Sequence, residues 1–450
     1  MQELIKNAVD EFKKLDNEVV RVVSHLDADG LTSASIMLQV LKREKKKFVL
    51  SIFKQLNENV LKELSLENYE VIIFTDLGSG YIKLINKYLN SKKIFIFDHH
   101  VPDDFENYSN LIHINPHLSK DEEVSGSGMT YFFAKALNEK NKDLAYLAVI
   151  GSIGDMHNFD GLNKEILDDA VKENKIEIRR GLRMFGAQTK PLHKILQFST
   201  DPFIPGITGS EENAIMFLNE LGINIKDKDK FKKLVNLTEE EFKKLTTGII
   251  LKRMGSEKNP ADIFADIYLL KDEEDESFTK DAREFSTLLN CCGRLNKPSV
   301  GIGVCLNNPE LKEKANELMK QYKFEIINGL NWFYNNKDNL IKGNNYVIIN
   351  AGENIKETLI GTITSIISRA NVYKDGTVLI SMAYTLDNNI KVSMRICNND
   401  EIDLREILKE ITKDEWETGG HKSACGCLIP IEKEKEFINR TIDVLNRKIY

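Results

Sequence analysis

Cysteine is scarce in this sequence, and its pattern narrows the class of protein. The six cysteines stand at positions 291, 292, 305, 397, 425 and 427. They form no C-x-x-C pair, which argues against a structural zinc site. The first residues, Met1, Gln2 and Glu3, do not open a signal peptide. Few cysteines in a long chain without such a signal are typical of a reducing compartment, so we expect a cytoplasmic protein.

Long apolar runs and an excess of positive charge are also missing. No run approaches the roughly 18 apolar residues of a membrane helix, so no membrane span is expected. The formal net charge is −7, which argues against a general basic coat for nucleic acid. A local basic channel stays open as an interpretation, because several acidic residues could be neutralised as metal ligands. With 450 residues, the chain is long enough for two or three domains.

The first stretch that carries chemistry is S-H-L-D-A-D-G, residues 24–30. An apolar run precedes it and a helical pattern follows, which predicts a buried strand, a tight acidic loop and a helix. His25, Asp27 and Asp29 alternate, so an extended segment would project them to the same side. Two such carboxylates repel each other unless a cation lies between them. The plain alternative is a polar turn in which Asp29 is the N-cap of the helix.

The same arrangement of apolar strand and acidic end occurs twice more. Residues 71–75 lead into Asp76, and residues 94–97 lead into Asp98, His99 and His100. Continuous apolar runs that alternate with helices predict a parallel sheet buried on both faces. In such sheets, ligands bind at the carboxyl ends of the strands. Three strand ends that all carry carboxylates, two of them with histidine, therefore predict a divalent metal site.

Asp155 adds a fourth acidic group. It follows residues 144–153, an apolar stretch that predicts a buried helix. We interpret Asp155 as the last metal ligand. For His157, two residues later, we expect a structural or solvent-facing histidine.

Two further stretches have a plain structural interpretation beside a functional one. Residues 125–128, S-G-S-G, begin a predicted helix. They could hold an anion through free N–H groups or form an ordinary helix cap. Residues 164–194 have a charged pattern that we interpret as helical, with R-R-G-L-R at 179–183. Such a run favours a solvated face, with nucleic-acid contact as the alternative.

The last third of the chain predicts a second α/β domain. Strand candidates lie at 346–349, 378–382 and 390–395, and a helix candidate at 359–370. A Gly-Gly turn at 419–420, followed by His421 and Lys422, would bring backbone N–H groups and positive charge to an anion. Arg294, at the end of the segment N-C-C-G-R, suits phosphate recognition.

Together these motifs resemble the DHH phosphoesterase superfamily, which is named for the triplet found here at residues 98–100. H-x-D-x-D-G at 25–30 resembles its first motif, Asp76 its second and Asp155 its fourth. V-S-M-R at 392–395 and G-G-H-K-x-x-x-G at 419–426 resemble the DHH-associated domain. N-C-C-G-R at 290–294 resembles the N-A-x-G-R stretch of RecJ-type exonucleases. Within the superfamily, the chain is most similar to archaeal RecJ-like exonucleases of the GINS-associated nuclease type.

The resemblance implies an α/β fold with two principal domains. These are a parallel-sheet DHH catalytic domain and a smaller α/β DHH-associated substrate-binding domain, with the active site in the cleft between them. We expect the catalytic domain at residues 1–190 and the substrate-binding domain at 301–450. Residues 191–300 would form a helical connector or inserted region.

The resemblance also implies a centre of two divalent cations, Mn²⁺ or Mg²⁺. The implied metal ligands are His25, Asp27, Asp29, Asp76, His99 and Asp155. Two residues have implied catalytic roles: Asp98 orients a histidine, and His100 hydrogen-bonds the substrate phosphate. The implied substrate-binding residues are Asn290, Arg294, Arg369, Ser393, Arg395, Gly419, Gly420 and His421.

The function that the resemblance implies is exonucleolytic hydrolysis of single-stranded DNA or RNA by a metal-activated water, in DNA replication or repair. GINS or replicative helicase components are the implied protein partners. One alternative is a small-nucleotide phosphodiesterase: an oligoribonuclease, a nucleotide 3′-phosphatase or a cyclic-dinucleotide phosphodiesterase. Another is a scaffold of the replication fork without catalytic activity.

Overall fold

The computed structural model describes residues 1–16, 19–103, 108–119, 123–199, 202–255, 257, 259–370, 372–398, 402–416 and 418–448. They form two compact units, Met1–Met319 and Lys320–Tyr450, called the first and second unit below. The expected division into three segments stays a prediction.

The first unit is built around a five-stranded parallel sheet in the order β2-β1-β3-β4-β5. Its strands are β1 (Val20–His25), β2 (Phe48–Phe53), β3 (Val71–Thr75), β4 (Lys93–Phe97) and β5 (Leu111–Ile114). The central strands are apolar and buried along nearly their whole length, as expected for parallel strands covered by helices on both faces. The predicted parallel sheet is confirmed.

Eight α-helices surround this sheet in the described part of residues 1–172. They are α1 (Gln2–Lys13), α2 (Ala28–Arg43), α3 (Glu58–Leu66), α4 (Ile82–Leu89), α5 (Pro116–Ser119), α6 (Gly126–Leu137), α7 (Ala145–Gly154) and α8 (Gly161–Lys172). Helix α2 is buried over most of its length and packs against α6 and α7. The N-cap of α2 is Asp27, and Asp29 lies in its first turn, so the assignment of Asp29 as the cap is wrong.

The rest of the first unit includes a separate apolar core formed by residues between 182 and 263. It contains β6 (Ile176–Leu182), α9 (Leu192–Gln197), α10 (Glu211–Glu220), β7 (Lys226–Asp227), β8 (Lys230–Phe231), α11 (Glu239–Arg253), β9 (Phe264–Leu270), α12 (Ala282–Arg294) and α13 (Pro298–Cys305). The helix expected through residues 164–194 is wrong for residues 176–191, because β6 pairs with β9 and α9 begins only at Leu192. Helix α14 (Pro309–Asn336) begins in the first unit and continues into the second.

The second unit carries a six-stranded mixed sheet in the order β10-β11-β12-β13-β15-β14. Its strands are β10 (Ile341–Lys342), β11 (Tyr346–Gly352), β12 (Val378–Tyr384), β13 (Asn389–Ile396), β14 (Thr418–His421) and β15 (Ala424–Pro430). Its helices after α14 are α15 (Glu357–Arg369), α16 (Leu404–Thr412) and α17 (Glu434–Lys448). The second, smaller α/β domain is confirmed.

All six cysteines are buried, free thiols in the described part of the chain. Three lie in each unit, and Cys425 and Cys427 pack in the apolar core of the second unit. Among the described helices, none combines the length and the apolar character that a membrane crossing requires.

Candidate metal centre

The carboxyl edge of the first sheet brings the predicted site residues to one level. Hydrogen bonding aligns Ser24 of β1 with Thr75 of β3, and Thr75 with Phe97 of β4. The next residue of each strand carries a site side chain: His25, Asp76 and Asp98. Asp155 reaches the same place from the C-terminal end of α7, where it is the C-cap. The site is therefore fixed by the register of a buried sheet.

Asp29 is fixed by the start of helix α6. Its side chain is fully buried and accepts hydrogen bonds from the N–H of Gly126 at 2.6 Å and of Ser127 at 3.1 Å. The N–H groups of this segment thus bind a carboxylate of the chain itself. Ser125 caps α6 by accepting from the N–H of Gly128 at 3.1 Å, so the helix-cap interpretation of residues 125–128 is confirmed.

The first donor group consists of His25, Asp27 and Asp76. His25 Nδ1 lies 3.0 Å from Asp27 Oδ2 and 3.4 Å from Asp76 Oδ2. These distances are short, yet neither Asp76 oxygen nor His25 Nδ1 has a hydrogen-bond partner among the described residues. Asp76 is 1% exposed, and an uncompensated buried carboxylate is strongly unfavourable. Donor atoms that face each other without bonding are suited to a cation between them.

The second donor group consists of Asp29, Asp76, His99 and Asp155. His99 Nε2 lies 3.4 Å from Asp76 Oδ1 and 3.1 Å from Asp155 Oδ2, and it too lacks a hydrogen-bond partner in the described structure. Within each group, the donor atoms lie within 4.8 Å of one another. Asp76 belongs to both groups. The residues present therefore fit two neighbouring divalent cations that share one carboxylate.

The electrostatics of the two groups show how crowded the carboxylates are. Burial alone would lower the pKa of His25, but Asp27 and Asp76 raise it well above its usual value. Burial acts in the same way on His99, and Asp155 and Asp76 raise its pKa. The pKa of Asp29 is raised by burial and by the nearby carboxylates. The cluster thus favours extra protons, which a bound cation would displace.

Asp98 is occupied by hydrogen bonds within the chain. It is 1% exposed; Oδ1 lies 2.7 Å from His100 Nδ1 and accepts from the N–H of His99 at 2.8 Å, while Oδ2 accepts from the N–H of Ser79 at 2.9 Å. Burial would raise the pKa of Asp98, but His100 and His99 hold it well below its usual range. Asp98 therefore orients His100, whose side chain is 48% exposed.

Two side chains that the sequence analysis missed support this arrangement. Asn115 donates through Nδ2 to Ser79 Oγ at 2.9 Å and to the carbonyl of His100 at 2.8 Å. Ser79 in turn holds Asp98 through its N–H. Neither residue stands in a motif with donor spacing, so the sequence offered no signal for them.

His157, which we expected to be structural or solvent-facing, lies beside two residues of the second donor group. It is half-buried and forms a third donor group with His99 and Asp155, all donor atoms again lying within 4.8 Å. The ring centroids of His99 and His157 are 5.7 Å apart. The spacing of Asp155 and His157 along the chain was the available signal.

Helix α12 braces the acidic loop of residues 24–30. Asn290 Oδ1 accepts a hydrogen bond from the N–H of Ala28 at 3.0 Å. An added Cβ at Gly293 would lie 1.9 Å from the carbonyl oxygen of Leu26, so only glycine allows this close approach. Arg294, half-buried, is the last residue of α12. The segment N-C-C-G-R is thus the end of a helix, and Asn290 contacts the loop.

The remaining substrate-binding candidates lie in the second unit. Ser393 and Arg395 stand on β13, and β15 connects Ser393 in register with Gly419 of β14, and Arg395 with His421. Arg395 donates through Nε to Ser365 Oγ at 2.8 Å. The sheet therefore places Ser393, Arg395, Gly419 and Gly420 close together.

Of two further candidates in the second unit, Arg369 does not join this group by any described contact, whereas the backbone of His421 pairs with Ala424, the partner of Arg395. Arg369 is exposed at the end of α15. His421 belongs to β14, but its side chain lies outside the described part of the structure.

The arginines at 179–183 face carboxylates. Arg179 lies 2.6 Å from Glu177, Arg180 lies 3.3 Å from Asp266, and Arg183 lies 3.3 Å from Asp262. These contacts support the interpretation as a solvated charged face.

Models of known families match three parts of the chain. The DHH family, N-terminal domain, matches residues 19–152; the DHH-CID domain matches residues 184–264; and the DHHA1 domain matches residues 343–447. The first contains the sheet and most of the donor groups, and the third contains the sheet of the second unit.

Two curated relatives extend this finding. The chain is 30% identical over 445 residues to the uncharacterized protein MJ0831 of Methanocaldococcus jannaschii, covering 96% of this chain and 94% of that protein. It is 25% identical over 202 residues to the single-stranded-DNA-specific exonuclease RecJ of Bacillus subtilis. That second match covers 40% of this chain and 25% of RecJ.

Solved structures share the fold over nearly the whole chain. RecJ of Thermus thermophilus in complex with Mn²⁺ has a TM-score of 0.63 at 16% identity, covering 99% of this chain. The chain spans about half of that protein, 55% of its length. CDC45 from Entamoeba histolytica has a TM-score of 0.65 at 10% identity and is matched over 98% of its length. At these identities, the likeness concerns the fold.

Proposed function

The chain belongs to the DHH family, whose members are phosphoesterases, and on that premise we propose that it is a metal-dependent, RecJ-like exonuclease of single-stranded DNA or RNA. One observation carries the proposal. Asp76 is buried between two donor groups, and its oxygens have no hydrogen-bond partner among the described residues. A carboxylate in that position is stabilised by cations on both sides.

In this proposal, His25, Asp27 and Asp76 hold one divalent cation, and Asp29, Asp76, His99 and Asp155 hold the other. When bound, such a pair of cations acidifies a water molecule and neutralises charge on a phosphoryl group. Mixed imidazole and carboxylate donors suit Mn²⁺ better than Mg²⁺, which prefers oxygen ligands and water. The RecJ structures that share the fold contain Mn²⁺ or Mg²⁺.

The chain's own residues bind and orient the substrate. Asp98 fixes the ring of His100, so that the exposed imidazole hydrogen-bonds a phosphate oxygen of the strand. Asn290 keeps the acidic loop in place through the N–H of Ala28. Other contacts to the substrate come from Arg294, Arg369, Ser393, Arg395, Gly419, Gly420 and His421.

We place this activity in DNA replication or repair in the cytoplasm, with GINS or replicative helicase components as protein partners. Six buried free thiols agree with a reducing compartment.

The test is a cleavage assay on three substrates. End-labelled single-stranded DNA, single-stranded RNA and a dinucleotide are incubated with the full chain in Mn²⁺ or Mg²⁺. A ladder of shortened products from the long strands supports the exonuclease and reports its polarity. Cleavage of the dinucleotide alone would replace it with a small-nucleotide phosphodiesterase. No cleavage with either metal would reject catalysis in favour of a replication-fork scaffold.

A further inference from the structure

Helix α7 ends in a turn that returns the chain toward the metal centre. The N–H of Met156 donates to the carbonyl of Ile153 at 3.1 Å, and the N–H of His157 donates to the carbonyl of Ser152 at 2.9 Å. This pair of bonds is a Schellman motif, in which glycine usually occupies the left-handed position. Here Met156 occupies it, with φ +61° and a side chain that is 78% exposed. Its side chain buries little surface that would explain this rarely adopted conformation.

The turn places His157 beside Asp155 and opposite His99. His99 Nε2 lies 3.1 Å from Asp155 Oδ2, and the rings of His99 and His157 are inclined by 65° with centroids 5.7 Å apart. One donor atom from each of the three residues lies within 4.8 Å of the other two. Two imidazoles and one carboxylate are donors that first-row transition metals bind well.

We propose that His157 is an additional nitrogen ligand of the cation held by His99 and Asp155. This inference rests on the metal centre of the proposed function. Both partners of His157 in this group, His99 and Asp155, also belong to the second group, so a single ion serves both. An independent observation is Asp76 Oδ1, which is buried, lies 3.4 Å from His99 Nε2 and has no hydrogen-bond partner in the described residues. A charge is therefore required where these donors converge.

The consequence is that the two cation positions differ in their chemistry. The position between His25, Asp27 and Asp76 has one imidazole. The position at His99, Asp155 and His157 has two, which favours Mn²⁺, Co²⁺ or Zn²⁺ over Mg²⁺. The two positions then load unequally when both kinds of ion are present.

The experiment compares the full-length protein with His157→Asn. Mn²⁺ binding is titrated by the electron paramagnetic resonance of free Mn²⁺, and pulsed resonance detects ¹⁴N nuclei coupled to bound Mn²⁺. We expect two Mn²⁺ in the wild type. In the variant, one of them should bind at least about tenfold more weakly, with one nitrogen coupling lost. Mg²⁺ affinity, measured by competition, should change less than about threefold, because Mg²⁺ depends on the oxygen donors.

Two further variants make the result specific. His117→Asn changes an exposed histidine of α5 that belongs to none of the donor groups formed by described residues, and it should bind Mn²⁺ like the wild type. His157→Asp restores a ligand with oxygen atoms, so it should regain Mn²⁺ binding and bind Mg²⁺ more tightly. Thermal melts confirm that each variant is folded.

Each outcome decides the inference. Equal Mn²⁺ affinity and unchanged nitrogen coupling in His157→Asn would overturn it, even if the wild type cleaves nucleic acid. Unchanged Mn²⁺ binding with weaker oligonucleotide binding would also overturn it, since His157 would then contact the substrate. Weaker Mn²⁺ binding in a protein that cleaves no strand would support the ligand role while rejecting the nuclease. A wild type without two Mn²⁺ sites would reject both.

Discussion

Asp76 combines an unusual backbone with an unusual environment. Its φ is +56°, in the left-handed region, and its N–H donates to the carbonyl of Phe97 at 2.8 Å. Aspartate and asparagine enter this region more readily than other side chains with a Cβ. Strained backbone of this kind costs about 1–3 kcal/mol and clusters at functional sites. Aspartate therefore suits position 76 for two reasons: it tolerates the left-handed backbone conformation, and it supplies a carboxylate.

Asp76→Asn is expected to abolish metal-dependent hydrolysis. Asparagine keeps the backbone and the volume but removes the charge that both cations share, so Mn²⁺ affinity should fall by at least about tenfold. Without metal, the free energy of unfolding should not fall, because a buried charge has been removed. Mn²⁺ titration, the cleavage assay and denaturation in EDTA measure these effects. Asp160→Asn is the matched control: Asp160 is exposed and makes no capping bond to described residues. Hydrolysis retained by Asp76→Asn would contradict the assignment.

Glu284 is a buried carboxyl that belongs to none of the donor groups formed by described residues. It is 1% exposed and accepts hydrogen bonds from the N–H of Gln188 at 2.9 Å and from the hydroxyl of Thr189. Burial raises its pKa to about 7. The hydrogen bonds from Gln188 and Thr189 favour the charged form, but burial outweighs them, so the folded chain favours the protonated form of Glu284.

Stability should fall as pH rises because of this group. Between about pH 4.5 and 7, the unfolded chain has lost the Glu284 proton while the folded chain keeps it. The free energy of unfolding then decreases with pH, by about 3 kcal/mol at most. In Glu284→Gln this component should be absent, so the difference in unfolding free energy between pH 5 and pH 8 should be smaller than in the wild type. If the free energy of unfolding depended on pH equally in the wild type and in Glu284→Gln, measured in metal-free buffer, Glu284 would not titrate in this way.

At the scale of elements, three helix ends hold the metal centre. The start of α6 binds Asp29, the end of α7 carries Asp155, and the end of α12 contacts the acidic loop. At the start of α6, Gly126 allows the helix to approach Asp76 unusually closely. An added Cβ at Gly126 would lie 2.8 Å from the Cβ of Asp76. The donors are therefore arranged before any cation arrives.

Gly126→Ala should disturb this arrangement. The methyl group must push α6 away from Asp76, which should lower the free energy of unfolding by about 1–3 kcal/mol and weaken Mn²⁺ binding. Gly80→Ala is the control, because its added Cβ has no atom nearer than 4.0 Å. Denaturation and Mn²⁺ titration compare the two variants. Equal behaviour would mean that the position of α6 does not matter for the centre.

The elements also show which features the sequence could predict. Strands β1, β3 and β4 are continuous apolar runs that end in carboxylates, and parallel pairing places such ends together whatever lies between them. Strand β6 was missed because its partner is far along the chain: Arg180 faces Asp266, 86 residues later. The close approach of Gly293 to Leu26 could not be predicted either, because the two residues are far apart in the sequence. His157 lies in the turn after α7, and the periodic pattern of apolar residues does not predict such a turn.

At the scale of the whole molecule, the negative net charge makes binding of the proposed nucleic-acid substrate depend on binding of the cations. The chain has a formal net charge of −7, and two divalent cations would change it to −3 (−7 + 4). The neutralisation would occur at the centre itself, where four aspartates lie within the donor groups: Asp27, Asp29, Asp76 and Asp155. A polyanionic strand is repelled there until the cations are bound.

Binding of an uncleaved strand should therefore depend on metal. A phosphorothioate single-stranded DNA should bind at least about tenfold more tightly in Mn²⁺ than in EDTA at equal ionic strength. Fluorescence anisotropy measures the affinity, and Asp76→Asn should show a much smaller difference. Equal affinity in Mn²⁺ and EDTA would mean that binding of the strand does not depend on cations at the metal centre.

The buried cysteines have a practical consequence. Cys291, Cys292 and Cys305 are at most 2% exposed in the first unit, and Cys397, Cys425 and Cys427 are at most 4% exposed in the second. An alkylating reagent reaches such thiols only when the surrounding structure opens. Mass spectrometry of the alkylated peptides therefore times the opening of each unit in the same tube, with no label added to the chain. Comparing the alkylation rates of the two sets of cysteines shows whether the two units unfold in one step or in two.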